Sequence, residues 1–261
     1  SPWPEEYNRR VIAQAADWHF APTEKAKDNL RNERIPEERI VVTGNTGIDA
    51  LLWMVARLRR SSNGEIPQRW QFFDLARPIV LCTLHRRESF GGVMHGLMRA
   101  LKDIAVSEDA QLILPLHPNP AVREAAGAVL GSLPSANLKI VEPLAYEDFL
   151  WLMDHCRFLI SDSGGVQEEA PALGKPVIVT RERTERPEAV EAGANVLAGT
   201  EPSQIGNLAR ALLHDTALYQ RMARPRWIYG DGMAARRISQ VILNQLGATE
   251  PTPGCLSSQV A

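Results

Sequence analysis

The stretch RFLISDSGGVQEEAPALGKPVIV, residues 157–179, carries the signals that decide the fold. An apolar run of strand type leads into Asp-Ser-Gly-Gly, a short helix-like segment with two glutamates follows, and a second apolar run ends the stretch. Strands that read as continuous apolar runs are expected where helices cover both faces of a parallel sheet. The stretch therefore predicts a strand–helix–strand crossover, the repeating unit of α/β folds.

The same alternation of apolar runs and helical patterns extends from residue 78 to about residue 224. Further strand-like runs are PIVLCTLH, LILPLH, LKIVEPL and NVLAG. Helical patterns follow these runs at residues 93–106, 120–131, 146–156, 165–173, 187–192, 203–214 and 216–224. Because each crossover is long enough to hold a helix, we predict an α/β fold with a parallel sheet over residues 78–199.

The first 44 residues form a separate group of elements. Helical patterns at residues 5–16 and 23–33 alternate with the short strand-like runs WHFAPT and RIVVTG, which is typical of the end of another α/β unit. The polar segment after LLWMVARLRR contains Gly and Pro and indicates a domain boundary. The last predicted element is an amphipathic helix at residues 231–246.

Composition excludes several functional classes. The 261 residues have a net charge of −2, which disfavours nucleic acid or an anionic membrane surface as a partner. The three cysteines, Cys82, Cys156 and Cys255, include no CxxC pair, so we expect neither a disulfide framework nor a zinc site, and we expect a cytoplasmic location. No apolar run is long enough for a spanning helix. The chain begins inside a motif-like stretch without Met, and we expect a fragment of a longer protein.

A phosphate-binding junction is predicted at Ser163, Gly164 and Gly165. Ligands of open parallel sheets bind beyond the carboxyl ends of the strands, and the amino-terminus of a helix there attracts anions such as a diphosphate. We expect Glu168 and Glu169 in the first turn of this helix, where a carboxylate can accept hydrogen bonds from ribose hydroxyls. The alternative is an ordinary capped helix, with Asp162 or Ser163 as the cap.

Histidines and arginines follow other strands of the predicted sheet. His85 lies beside two arginines, and a histidine in such a place can act as a general acid or base. The alternative for this segment is a solvated charged loop, and for His117 it is a loop histidine with local hydrogen bonds. A surface charge run is the alternative for the arginines of residues 181–186. We interpret the other histidines as structural: His19, His95, His155 and His214.

Seven motifs in a fixed order together carry a family resemblance. They are SPWPEEYNRR, VTGNTGID, TLHRRESFGG, LHPNP, DSGGVQEEAPALGKPVIV, TERPEAVEAG and YGDGMAARRI. This combination closely resembles the carboxyl-terminal two-thirds of the non-hydrolysing UDP-N-acetylglucosamine 2-epimerases, over residues 1–246. Any one of these motifs is a weak signal, whereas seven in register are specific.

The resemblance implies a GT-B-like fold of two Rossmann-like domains that face a cleft. It implies interconversion of UDP-GlcNAc and UDP-ManNAc by elimination of UDP to a 2-acetamidoglucal intermediate and re-addition, without a redox cofactor or a metal, in a homodimer. Residues 1–44 would then be the remnant of the amino-terminal Rossmann-like domain. Residues 45–246 would be the UDP-binding domain with its final crossover helix at 231–246, and residues 247–261 a disordered tail.

The resemblance also assigns the UDP-binding residues. Ser163, Gly164 and Gly165 would bind the diphosphate, and Glu169 the ribose hydroxyls. Phe149 falls where the family packs an aromatic ring against uracil.

Further roles implied by the resemblance concern charged residues. Arg186 would bind the nucleotide or its phosphates, and His85 would lie at the reaction centre. Glu5 matches a carboxylate with a catalytic or regulatory role. In some members Glu5, Arg86 and His117 would instead contact a second UDP-GlcNAc that acts as an activator.

Two departures from the family pattern affect these expectations. Leu144 stands where relatives carry a polar residue that contacts uracil, so backbone alone would make that contact. The amino-terminal domain, with two further catalytic carboxylates, is not in the 261 residues, and we expect these residues alone to bind UDP at most.

The sequence leaves three rival functions open. They are a GT-B glycosyltransferase, a hydrolysing epimerase that releases free ManNAc, and a nucleotide-sugar-binding module without activity. The pair of motifs HRRE and SPWPEE favours the non-hydrolysing epimerases.

Overall fold

The structure is a computed structural model that describes residues 4–61, 65–131 and 137–247. The described residues form two compact units, one of residues 4–50 and 229–247 and the other of residues 51–228. None of the helices in these ranges is both long and apolar enough to cross a membrane.

Helices and strands alternate along the described chain. The strands are β1 His19–Ala21, β2 Ile40–Val42, β3 Ile79–Thr83, β4 Gln111–Pro115, β5 Leu138–Val141, β6 Phe158–Ser161, β7 Val177–Val179 and β8 Asn195–Leu197. The helices are α1 Glu5–Ala15, α2 Glu24–Asn32, α3 Thr46–Ser61, α4 Gly92–Ser107, α5 Pro120–Leu130, α6 Tyr146–His155, α7 Gly164–Ala172, α8 Pro187–Glu191, α9 Pro202–His214, α10 Thr216–Met222 and α11 Ala234–Gln245. The elements predicted from the alternating pattern are confirmed, with ends that differ by a few residues.

The larger unit is built on a six-stranded parallel sheet with the order β5-β4-β3-β6-β7-β8. The chain runs outward from β3 to β5 and then returns to place β6 on the other side of β3, so the strand order reverses between β3 and β6. Such a reversal opens a crevice at the carboxyl ends of the two central strands, where ligands of open α/β sheets bind. In this register Thr83 lies opposite Ser161, and the segments that follow them emerge side by side.

Both faces of this sheet are buried, as the continuous apolar runs predict. On β3, Val80 and Cys82 point into a cluster with residues of α4, α5 and α9, and Leu81 on the opposite face is also fully buried. Because the side chains of a strand alternate between faces, a strand buried on both sides needs an apolar residue at every position. The predicted parallel α/β sheet over residues 78–199 is thereby confirmed.

The smaller unit contains a two-stranded parallel sheet, β1 beside β2, with His19 opposite Ile40. Its apolar cluster is small and includes Ala13, Ala21 and Ile35.

The final helix belongs to this smaller unit. The Asp49 carboxylate accepts hydrogen bonds from the backbone N–H groups of Ala234 (3.1 Å) and Ala235 (2.7 Å), at the start of α11. Gly44, with φ of +87°, lies so close to Gly230 that an added Cβ would stand 3.0 Å from its Cα. The close approach explains the glycines at positions 44 and 230 of the motifs VTGNTGID and YGDGMAARRI.

The compact units do not coincide with the predicted domains, and the division at residue 44 stays a prediction. The sequence places the helix at 231–246 with residues 45–230, whereas the compact units divide after residue 50 and place this helix with the first residues of the chain. Local pattern locates the helix, but only the long-range contacts of Asp49 and Gly44 decide where it packs. The predicted tail at 247–261 lies outside the described residues apart from Gly247.

Candidate active site

A cavity of about 300 Å³ lies at the carboxyl ends of β3, β4 and β6. This volume is at the lower end of the range of ligand pockets, about 300–1,000 Å³. Its lining includes six of the residues that the sequence singled out: His85, His117, Phe149, Ser163, Gly165 and Glu169. Parallel strands bring residues from distant parts of the chain to one edge, and this explains why they meet here.

The amino-terminus of α7 enters this cavity without a side-chain cap. Ser163 occupies the N-cap position, but among the described residues its side chain caps no N–H group of the helix. The first turn contains no acidic residue. Unpaired N–H groups and the partial positive charge of the helix end are therefore available to an anion. The alternative of an ordinary capped helix is wrong for this junction.

The two glutamates lie one turn later than the sequence predicts. Because α7 begins at Gly164, both Glu168 and Glu169 fall in its second turn. Glu168 forms an ion pair with Arg186, whereas Glu169 lines the cavity. The two adjacent carboxylates therefore have different environments.

Tyr146 donates a hydrogen bond from its hydroxyl group to Oε1 of Glu169 over 3.1 Å. Burial raises the pKa of Glu169 to about 6, the hydrogen bond from Tyr146 acts in the opposite direction, and the charge of Glu168 raises the pKa further. Burial also raises the pKa of the Tyr146 phenol. The sequence analysis missed Tyr146, although it lies three residues before Phe149 in α6 and hence on the same helix face.

Asp162, directly after β6, is fully buried and holds the segment after β3. Its Oδ2 accepts hydrogen bonds from the backbone N–H groups of His85 (2.8 Å) and Arg86 (2.9 Å). Its Oδ1 lies 3.1 Å from Nδ1 of His85. Sequence reasoning considered Asp162 only as a helix cap, because the pairing of β3 with β6 that creates these contacts is not a local property.

His85 and His117 stack in the cavity with ring centroids 5.5 Å apart and an interplanar angle of 21°. Nδ1 of His117 accepts a hydrogen bond from the backbone N–H of Asn119 over 3.2 Å, while the side chain of Asn119 caps α5. His117 thus has the local hydrogen bond that the loop alternative predicts and also a place in the cavity.

Several arginines surround the start of α7 outside the cavity lining. A Cβ added to Gly164 would lie 3.2 Å from Nη2 of Arg86 and 3.8 Å from Nη2 of Arg186. Glu185 pairs with Arg86 at 3.2 Å and with Arg181 at 2.6 Å. The Arg181 side chain is only 10% exposed, so Arg181, Glu185 and Arg186 form ion pairs, whereas Arg183 is exposed as a surface charge run predicts.

Phe149 and Leu144 give the cavity an apolar wall, next to two prolines of the adjoining loops. Glu5 lies in the first turn of α1, in the smaller unit, where its side chain is exposed, and its role stays a prediction. Within the described ranges no group of three His, Cys, Asp or Glu side chains is arranged to hold a metal ion.

Comparisons with known proteins identify the family of the chain. The sequence model of the UDP-N-acetylglucosamine 2-epimerase family matches residues 1–243. A UDP-N-acetylglucosamine 2-epimerase of Salmonella typhimurium is 46% identical over 245 residues, which are 93% of this chain and 65% of that relative. The chain thus spans about two-thirds of the length of such relatives.

Two solved structures of similar proteins also match nearly all of this chain and about two-thirds of their own length. The crystal structure of UDP-GlcNAc 2-epimerase from Neisseria meningitidis bound to UDP-GlcNAc has a TM-score of 0.88 at 40% identity, covering 93% of this chain and 66% of that one. The S. aureus MnaA-UDP co-structure has a TM-score of 0.86 at 38% identity, covering 97% and 67%. The chain therefore belongs to the UDP-N-acetylglucosamine 2-epimerase family and has the GT-B-like α/β fold of these relatives.

Proposed function

We propose that this chain supplies the UDP-binding part of an enzyme that interconverts UDP-GlcNAc and UDP-ManNAc. The observation that carries the proposal is the uncapped amino-terminus of α7, which opens into the same cavity as the partly buried carboxylate of Glu169. Relatives whose structures hold UDP-GlcNAc or UDP support this choice of ligand.

In the proposed complex the diphosphate lies on the N–H groups at the start of α7. Ser163 and Gly165 line the cavity there, and Gly164 is the first residue of the helix. Glu169 would accept hydrogen bonds from the two ribose hydroxyls, and the ring of Phe149 would pack against uracil. An ionised carboxylate accepts such bonds more strongly than a neutral acid does.

The proposed reaction proceeds by elimination and re-addition. A base removes the proton from C2, the electrons of that C–H bond form a C1=C2 double bond, and the C1–O bond breaks with its electron pair leaving on UDP. The resulting 2-acetamidoglucal then takes UDP back at C1 and a proton at the opposite face of C2. No net electrons are exchanged, so the reaction needs no redox cofactor and we propose none.

The amino-terminus of α7 would lower the energy of the departing diphosphate, because preorganised donors stabilise developing negative charge. The guanidinium groups of Arg86 and Arg186 lie beside Gly164 and would add positive charge there. His85 lines the cavity and is the acid–base group that we propose among the residues of this chain.

Other assignments from the family resemblance belong to the same proposal. Glu5 would supply a catalytic or regulatory carboxylate, and Arg86 and His117 would contact an activating UDP-GlcNAc in members that use one. We further propose a homodimer, a cytoplasmic location, and the assignment of residues 1–44 and 45–246 to two Rossmann-like domains.

The test is incubation with UDP-GlcNAc in deuterated water of the protein extended to the length of its relatives. UDP-ManNAc with deuterium at C2 is the expected result. Free ManNAc would instead assign a hydrolysing epimerase. Sugar transfer to an added acceptor would assign a glycosyltransferase, and tight binding without any product would assign a binding module.

A second experiment measures nucleotide binding without turnover. UDP titrated into the 261-residue chain should bind, and Glu169→Ala should weaken that binding about tenfold to a hundredfold, the equivalent of one charge-assisted hydrogen bond. Asp154→Ala, which removes a carboxylate from the same unit outside the cavity lining, is the matched control and should leave affinity unchanged. Equal affinity in the Glu169 variant and the unaltered chain would show that the nucleotide lies elsewhere.

A further inference from the structure

The two oxygens of the buried Asp162 carboxylate have different surroundings. Oδ2 is occupied by two backbone N–H donors, those of His85 and Arg86. Oδ1 is also buried and accepts no aligned hydrogen bond from the described residues, yet it lies 3.1 Å from Nδ1 of His85. A buried carboxylate oxygen requires a donor, and a slight rotation of this ring supplies one.

A carboxylate can only accept hydrogen bonds, so the nitrogen that faces it must carry a proton. We infer that Asp162 is a positioning residue that keeps the proton of the neutral His85 ring on Nδ1 and the lone pair on Nε2. Its two bonds to the backbone of residues 85 and 86 hold the loop, and its second oxygen selects the tautomer. Carboxylate–histidine pairs set ring orientation in this way at catalytic and metal sites.

His117 has the opposite arrangement. Its Nδ1 accepts the backbone N–H of Asn119, so the neutral ring carries its proton on Nε2. The two stacked rings therefore differ in kind, since His85 offers a proton acceptor at Nε2 and His117 offers a donor. The use of Nε2 of His85 as a base in turnover rests on the proposed function, whereas the tautomers of the two rings do not.

Long-range proton–nitrogen NMR correlation spectra test the tautomers directly. At about pH 8.5 ordinary imidazole rings are neutral, and such spectra separate protonated ring nitrogens from those that carry a lone pair. We expect a proton on Nδ1 for His85 and on Nε2 for His117. His155, whose Nδ1 lies 2.8 Å from the carbonyl oxygen of Trp151, is an internal reference for the Nδ1 form. A proton on Nε2 of His85 in the unaltered chain would overturn the inference without any variant.

Asp162→Asn gives a sharper result. The amide oxygen of the substituted side chain must take the place of Oδ2 to keep the two backbone bonds, so its NH₂ group faces Nδ1 of His85. An NH₂ group donates, and the His85 proton must therefore move to Nε2. His117 should not change, and neither ring should change in the control Asp154→Asn, which neutralises a carboxylate of α6 that pairs with Arg59.

These outcomes separate the inference from the proposed function. An unchanged His85 tautomer in folded Asp162→Asn protein would overturn the role of Asp162, even if the enzyme epimerises UDP-GlcNAc. The expected tautomers together with no epimerisation would leave the role of Asp162 intact and remove the enzymatic proposal. If the variant does not fold, the spectrum of the unaltered chain still decides.

Discussion

Glu169 illustrates, at the scale of a single residue, how burial changes the chemistry of a carboxylate. Burial raises its pKa to about 6, and the hydroxyl of Tyr146 only partly offsets this by stabilising the charged form. A carboxyl group with such a pKa changes its charge just below neutral pH. Its capacity to accept ribose hydroxyls should change over the same range.

We predict that UDP-GlcNAc affinity increases as the pH rises through about 6, because only the ionised Glu169 accepts both hydroxyls well. Both phosphates of this ligand are diesters and stay ionised, so they contribute no titration of their own. For the protein extended to the length of its relatives, the UDP-GlcNAc affinities measured by calorimetry at about pH 5 and about pH 8 should differ about tenfold or more, the equivalent of one charge-assisted hydrogen bond.

Two variants check this assignment. Glu169→Gln should bind more weakly and without this pH dependence. Tyr146→Phe should move the midpoint to higher pH, because the hydrogen bond that lowers the pKa of Glu169 is lost. An equal pH dependence in the unaltered chain and in Glu169→Gln would attribute the effect to other groups, such as the histidines of the cavity.

A second residue-scale prediction concerns His85→Asn in the protein extended to the length of its relatives. Turnover should fall by about 10²- to 10⁴-fold, the usual contribution of a positioned acid–base group. The melting temperature should change little, because the side chain is 36% exposed and the backbone bond to Asp162 is kept.

The control for this variant is His155→Asn, which changes a histidine outside the cavity lining and should retain turnover. Near-normal turnover of His85→Asn would exclude a catalytic role, and a large loss of melting temperature would assign a structural one.

At the scale of an element, the start of α7 combines two properties that an anion site needs. The helix has no side-chain cap, and glycines at its first two positions leave the N–H groups open to close approach. Gly165 lines the cavity, and among the described residues a Cβ added there would meet only Ser163 Oγ, at 3.9 Å. The space that glycine leaves therefore belongs to the cavity and not to the packed interior.

We predict that Gly165→Ala weakens UDP binding while leaving the free energy of unfolding unchanged or up to about 1 kcal/mol higher. The gain reflects the helix propensity of alanine over glycine, whereas the new methyl group stands where the diphosphate approaches. The matched control is Gly206→Ala in α9, where an added Cβ meets no atom of the described residues within 4 Å.

By urea denaturation, the free energy of unfolding of both variants should be unchanged or up to about 1 kcal/mol higher. Calorimetry with UDP should separate them, with an affinity loss of about tenfold or more for Gly165→Ala alone, equivalent to about 1.4 kcal/mol. Unaltered UDP binding by Gly165→Ala would contradict the position proposed for the diphosphate.

At the scale of the whole molecule, each of the two compact units contains an aspartate that accepts hydrogen bonds from backbone N–H groups at the start of a helix. In the smaller unit, Asp49 satisfies the first N–H groups of α11 from a distant part of the chain. In the larger unit, Asp215 satisfies the N–H of Leu218 at the start of the helix that it precedes, α10. An N-terminal cap of either kind is typically worth about 1 kcal/mol.

We predict that Asp49→Ala accelerates amide hydrogen exchange in α11 and leaves the strands of the six-stranded sheet unchanged. Loss of about 1 kcal/mol of local stability corresponds to roughly fivefold faster exchange by local opening. Asp215→Ala, the matched control, should accelerate exchange at α10 only. If Asp49→Ala also accelerated exchange in β3 and β6, α11 would have to be assigned to the larger unit after all.

The sequence alone determined the element types and the class of the fold. Continuous apolar runs need a sheet covered on both faces, and helical patterns between them need parallel crossovers, so the six-stranded sheet follows from local periodicity. The same reasoning located His85, His117 and Ser163–Gly165 at strand ends, and hence at one edge. It placed Glu169 one turn too early, because local pattern did not define the first residue of α7.

Tertiary structure alone decided which of these groups touch. The order of the strands brings Asp162 next to His85, which lies 77 positions away in the sequence. The local sequence predicts that Asp162 caps a helix, whereas in the structure its carboxylate binds the backbone of the loop after β3. In the same way Tyr146 meets Glu169, and Asp49 meets α11. An Asp oxygen can accept a hydrogen bond from a nearby N–H group or from a distant one equally well. Which N–H group it binds therefore depends on strand pairing and helix packing, and no short stretch of sequence specifies these.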